Sequence, residues 1–170
     1  MRLNAQTDFS LRIMMFLAVR RDVPTTIPEL AGRLGLSRAH TMRIVAKLVG
    51  KGLLASTRGR HGGLALADDP ASVTVAQVIR AMEPDFAIVP CLHTKEARDC
   101  SIEPACRLKG VLESAVVAFL GELGRHTLAD LVEANRTPLE QVFHLDRPYA
   151  TRGCAVRPTS LIEALTGGVG

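Results

Sequence analysis

Three cysteines carry the densest chemistry in the chain. Cys91, Cys100 and Cys106 fall within 16 residues in the pattern Cys-x8-Cys-x5-Cys, and a fourth, Cys154, stands far from them. The run Leu92-His93-Thr94-Lys95-Glu96-Ala97-Arg98-Asp99 between the first two is polar and gives these thiols no apolar sequence in which to be buried. Any disulfide scheme among three clustered thiols leaves one unpaired. Metal ligation is therefore the stronger reading, and thiolates suit either zinc or an iron–sulfur cluster. Structural zinc uses short Cys-x2-Cys bites, whereas gaps of eight and five residues span a larger object. That favours a cluster (4Fe-4S or 2Fe-2S) and leaves structural zinc as the alternative. Three thiolates also call for a fourth ligand, and His93, Asp99 and Glu103 are the nearest candidates in sequence. A non-cysteine fourth ligand leaves one iron open to a small molecule.

Charge supplies the second signal. The 170-residue chain has a net charge of only +4, but the charge is unevenly placed. Residues 1–67 hold 11 Arg/Lys against 3 Asp/Glu, and the remainder holds 10 against 14. From Leu30 to Ala67 there is no carboxylate, while Arg33, Arg38, Arg43, Lys47, Lys51, Arg58 and Arg60 all lie there. Such a window points to a polyanionic partner. With no Trp, one Tyr and five Phe, the chain is poorly equipped to stack single-stranded bases, so duplex DNA is the expected partner.

The elements that must position these groups follow from periodicity and caps. Phe9, Ile13, Phe16 and Leu17 define a first helix over Thr7–Val19, broken by Asp22-Val23-Pro24. Thr26-Ile27-Pro28-Glu29 has the form of a capping box and opens a short second helix ending near Gly35. Ser37 caps a third helix running to about Gly50, with Ile44, Val45 and Leu48 on one face. Arg38, Ala39, Met42 and Arg43 point the other way, and Lys47 flanks the core side. Two short strands, Leu53–Thr57 and Leu64–Ala67, bracket the basic tip Arg58-Gly59-Arg60-His61-Gly62-Gly63. A helix-turn-helix followed by a basic hairpin is a winged helix. Its recognition helix enters the major groove while the wing reaches phosphate or the minor groove. On this reading Ser37, Arg38, Ala39, Met42 and Arg43 contact the groove, and Lys47, Lys51, Arg58 and Arg60 contact phosphate or the minor groove.

A fourth helix begins after Thr74 and stops at Glu83-Pro84. A long helix from about Pro104 to Arg125 repeats Leu108, Leu112, Ala115 and Phe119 at spacings of 4, 3 and 4, a seam for a partner helix and hence a homodimer. Thr127 caps a last short helix. The expected fold is mainly α with a small β wing. It divides into a DNA-binding domain (1–83), a cysteine loop and dimerisation helix (84–135), and a flexible tail (136–170).

Several classes drop out. The longest apolar run, Ile13–Val19, has seven residues, far short of the roughly 20 that span a membrane. No export signal follows Met1-Arg2-Leu3-Asn4, so a cytoplasmic protein with reduced thiols is expected. There is no nucleotide-binding glycine fingerprint, no paired catalytic carboxylates and no hydrolase triad spacing, which argues against an enzyme.

Taken together, several motifs resemble the Rrf family of iron–sulfur transcriptional regulators over about residues 1–135. They are Met1-Arg2-Leu3 with Thr7-Asp8-Phe9, Ser37-Arg38-Ala39-His40, Arg58-Gly59-Arg60-His61-Gly62-Gly63-Leu64, the triple-cysteine loop, and Pro104-Ala105-Cys106-Arg107-Leu108-Lys109. The resemblance implies a homodimeric winged-helix repressor whose long helices cross at the dimer interface and whose cluster governs DNA binding. Cys106-Arg107-Leu108-Lys109 and Thr127-Leu128-Ala129-Asp130-Leu131-Val132 are most similar to the nitric-oxide-sensing members, which makes nitric oxide the expected effector. Iron-responsive members, with similar cysteine spacing, are the alternative. Some nitric-oxide sensors complete the cluster with an acidic residue of the first helix from the opposite subunit, and the matching residue here is Asp8.

Overall fold

The computed structural model describes residues 3–57, 59, 62–92, 100–102 and 105–149. Its elements in chain order are α1 (Ala5–Val19), α2 (Ile27–Arg33), α3 (Arg38–Gly50), β1 (Leu54–Thr57), β2 (Gly63–Leu66), α4 (Val75–Met82), a 3-10 turn (Pro90–Leu92), α5 (Leu108–Leu123), α6 (Leu128–Glu133) and α7 (Arg136–Val142). The expected class, mainly α with a small wing, is the class observed.

Most helix starts are written in single side chains. Asn4, Thr26, Ser37, Thr74 and Thr127 each accept a backbone N–H of the first turn they precede. These caps satisfy donors that a helix cannot pair internally. At Thr74 and Thr127 the return bond from Gln77 or Asp130 completes a capping box. Gly35, at φ +65°, makes the turn between α2 and α3, where a side chain would be strained.

α1 is the central helix. Ile13, Met14, Phe16, Leu17, Ala18 and Val19 are all buried, so its second half is covered on nearly every side by α3, α4, α6, α7 and the wing. This is why the run from Ile13 to Val19 is continuous rather than striped. β1 and β2 pair antiparallel with Leu54 opposite Leu66 and Thr57 opposite Gly63. Leu64 of β2 also bridges to Thr25, which ties the wing to the start of α2. A Cβ on Gly63 would stand 2.9 Å from the Pro24 side chain, so that close approach requires glycine.

Two expectations need correction. The long helix begins at Leu108, and no side chain caps its first turn. Along the anticipated seam, burial within the chain alternates. Leu112 and Phe119 are half-buried, and Phe119 packs with Leu120 and Leu123 on Val75 and Ile79 of α4, whereas Leu108 and Ala115 are exposed. Val111 and Val117 are 62% and 70% exposed, so α5 carries a bare apolar face beside the one used within the chain.

The second correction concerns the tail. Residues 136–149 do not trail away from the domain. Phe143 joins the main core with its ring against Phe16 at 5.1 Å, and Arg136 Nη1 donates to the Val19 carbonyl at 2.9 Å. Arg33 reaches the carbonyls of Phe143, His144 and Arg147, and the Tyr149 hydroxyl donates to Pro28 O at 2.7 Å. The prolines suggested a loose segment, but Phe143 supplies an apolar anchor that a periodicity search over so short a stretch does not reveal. Residues 150–170, with Cys154, lie outside the described residues.

Candidate nucleic-acid interface and metal centre

The outward face of α3 is built by subtraction. Thr41, Ile44, Val45 and Leu48 are buried against the domain. Arg38, Ala39, Met42 and Arg43 are left exposed on the opposite side, with Met42 at 49%. Ala46, one turn beyond Met42, is exposed on the same face. The sequence reading of this face ends at Arg43 and so leaves Ala46 out. Ser37 is exposed, and its hydroxyl accepts the His40 N–H at 3.2 Å as the helix cap. Lys51 is exposed just past the helix. Arg58 and Arg60 lie outside the described residues.

Two cations of the acid-free window are directed elsewhere. Lys47 is half-buried and its Nζ donates to the Met82 carbonyl at 2.7 Å, so its ammonium is held at the end of α4. Arg33 is only 8% exposed and serves the 143–147 backbone and Glu29. The charge count was sound, but it did not say which long side chains turn inward.

The three clustered cysteines are free thiols. Cys91 sits on the 3-10 turn, which packs against α5, and Cys106 lies two residues before α5 begins. Both are half-buried, while Cys100 is exposed. Among the described residues, no three His, Cys, Asp or Glu side chains are gathered as a ready metal site. The donor chemistry nevertheless suits soft-metal or cluster binding, because Cys106 stands just before α5 and Cys91 lies on the turn packed against that helix, both as free thiols. His93, Asp99 and Glu103 lie outside the described residues. Asp8, in the first turn of α1, pairs with Arg12 at 2.7 Å and its side chain remains 48% exposed.

Helix, glycine turn, exposed basic helix and antiparallel hairpin define a winged-helix DNA-binding protein. Comparison with known proteins narrows this. The model of the Rrf2 family, described as an iron-dependent transcriptional regulator, matches residues 3–134. The HTH-type transcriptional regulator NsrR of Bacillus subtilis (strain 168) is 38% identical over 134 residues, covering 78% of this chain and 91% of that protein. NsrR of Shouchella clausii (strain KSM-K16) is 34% identical over 133 residues, covering 78% and 89%. The solved structure of T. potens IscR superposes with a TM-score of 0.62 at 26% identity, covering 79% of this chain and 88% of that one. The chain belongs to the Rrf2 family of transcriptional regulators. Its relatives are regulators rather than enzymes, and no helix among the described residues is long and apolar enough to cross a membrane. α7 and Tyr149 lie beyond the stretch that the family model matches.

Proposed function

We propose that the protein is a homodimeric transcriptional repressor that binds a near-palindromic duplex operator and releases it when nitric oxide reaches an iron–sulfur cluster. The observation that carries this reading is the exposed face of Arg38, Ala39, Met42 and Arg43 on a winged helix, in the same chain as three free thiols, of which Cys91 and Cys106 lie beside α5. In each subunit these residues, with Ser37 and Ala46, lie along the major groove. Lys51 and the wing residues Arg58 and Arg60 contact phosphate or the minor groove. The bare face of α5, with Leu108, Val111 and Ala115, meets its counterpart in a second subunit and sets the spacing of the two half-sites.

Cys91, Cys100 and Cys106 would hold the cluster, and Asp8 from a second copy of the chain would complete the ligand set. Iron held this way supplies the point at which nitric oxide binds. The chain's own contribution is mechanical. A group bound by both Cys91 and Cys106 would tie together the two ends of the sequence between them. Loss of that group would remove the tie, and with it any preference it gives the DNA-competent arrangement. The half-exposed Asp8 carboxylate, paired among the described residues with Arg12 one helix turn on, is accessible to such a role. Nitric oxide as the effector is supported by the cysteine-adjacent motif and by the likeness to proteins named NsrR. A second reading, in which iron supply is the signal, is favoured by the family's description as iron-dependent.

The test is operator binding by anaerobically purified protein at fixed salt, followed against the iron absorption bands during a nitric oxide titration. Bleaching together with DNA release at a few molecules per cluster is the expected result. DNA retained throughout that titration but lost on iron chelation would replace nitric oxide by iron as the signal. Cys91→Ala, Cys100→Ala and Cys106→Ala are each expected to abolish the iron bands, and Cys154→Ala to leave them. Full bands in Cys100→Ala would overturn the ligand set.

A further inference from the structure

The end of α4 is a junction of three parts of the molecule. Met82, its last residue, is fully buried, and its carbonyl accepts Lys47 Nζ from α3 at 2.7 Å. The next residue, Glu83, closes the helix by donating its N–H to Ile79 O at 2.8 Å. The Glu83 carboxylate accepts both the Asn4 backbone N–H at 2.9 Å and Asn4 Nδ2 at 2.7 Å. Asn4 in turn caps α1, its Oδ1 accepting the Thr7 N–H at 2.9 Å. From Glu83 the chain runs directly into the stretch that carries Cys91, Cys100 and Cys106. The recognition helix, the first turn of α1 and the root of the cysteine segment are thus gripped within two consecutive residues.

The chemistry of the grip is specific. The last carbonyls of a helix lack intrahelical partners and carry partial negative charge, so a lysine ammonium is a favoured occupant. The carboxylate of Glu83 takes two N–H groups of one residue, which fixes the separation and the angle between α1 and α4 together. Both bonds cross between elements, and neither belongs to the groove-facing side of α3.

We infer that Lys47 and the Asn4–Glu83 pair are positioning residues of the switch, carrying a displacement of the cysteine segment to α3 and to the Asp8-bearing turn of α1. This rests on the cluster-gated reading above. It also reassigns Lys47. A lysine on phosphate contributes to the salt dependence of DNA binding, whereas a lysine latched to Met82 contributes to the coupling between cluster and operator affinity.

These two roles separate in one experiment. Operator affinity is measured against salt concentration, for full-length protein in the cluster-loaded and cluster-stripped states. The chains compared are wild type, Lys47→Met, Lys47→Arg, Asn4→Ala and Arg43→Ala. Lys47→Met and Asn4→Ala are each expected to bring the loaded-to-stripped affinity ratio about tenfold closer to one, the scale of one lost bond to a charged group. Neither changes the salt slope in either state. Lys47→Arg, which keeps the cation and its donors, retains most of the ratio. Arg43→Ala, on the groove face, lowers the slope by about one per contact and leaves the ratio alone. A Lys47→Met protein with an unchanged ratio and a reduced slope would place Lys47 on phosphate and overturn the inference. Should Lys47→Met fail to fold, Asn4→Ala decides alone, and an unchanged ratio there overturns the inference equally. A wild-type ratio of one would refute the cluster-gated reading itself, and this inference with it.

Discussion

Phe143→Ala tests whether residues 136–149 are part of the folded domain. Phe143 is 8% exposed and lies edge-on to Phe16, itself fully buried in the last turn of α1. An aromatic side chain of this kind buries about 150–250 Å², worth about 4–6 kcal/mol at roughly 25 cal/mol per Å² as an upper bound. Measured Phe→Ala costs in cores run at about 3–5 kcal/mol. The site lies in the last described helix turn, so α7 can undock locally rather than unfold the whole domain, which places the cost near the lower end, about 3 kcal/mol. For a chain of this size that is a fall in Tm of roughly 6–12 °C. Thermal or urea unfolding of metal-free protein at one fixed protomer concentration reads it, since any self-association would make Tm concentration-dependent. Val142→Ala is the internal control. Val142 is 45% exposed one residue earlier, and its truncation is expected to cost within about 0.5 kcal/mol. A Phe143→Ala shift no larger than the control's would refute the packing argument and return the segment to the status of a loose tail.

Two further outcomes are expected. Val111→Glu places a carboxylate on the bare face of α5, and on the dimer reading it weakens self-association on the order of a hundredfold. Light scattering across a dilution series checks this, and an unchanged dimer would move the interface off that face. Asp130→Asn probes the α6 cap. The Thr127 backbone N–H, and after it the Thr127 hydroxyl, hold the Asp130 carboxyl below its ordinary value of 3.8. A lowered folded-state value means the ionised group stabilises the fold above that pH, and the contribution fades as pH falls through the folded value. The variant is therefore less stable than wild type at neutral pH and converges with it in acid, as denaturant midpoints at the two pH values would show. A gap that persists unchanged in acid would refute the assignment to the ionised carboxylate.

What was legible in the sequence follows from the range of the interaction that each residue makes. Ser37, Thr26, Thr74 and Thr127 announce helix starts because a cap bond closes over three residues, so neighbours in sequence are neighbours in space. The split of α3 into a buried and a basic face is legible for the same reason, since one period of one helix decides it. The hairpin is legible because a Gly-rich tip joins two strands paired in register. Lys47, Arg33 and Phe143 are the failures, and all three act across long separations. Lys47 meets Met82 from 35 residues away, and Arg33 meets the Arg147 carbonyl from 114. A lysine or arginine stem is long enough to turn either to solvent or to an orphaned carbonyl. Only the tertiary arrangement decides which, because a carbonyl freed at a helix end competes with water for the cation. The net charge of a window is therefore an upper bound on the cations available to a polyanion. In this chain at least two of the seven between Leu30 and Ala67 are spent on holding the domain together, and the DNA-facing charge must come from the rest.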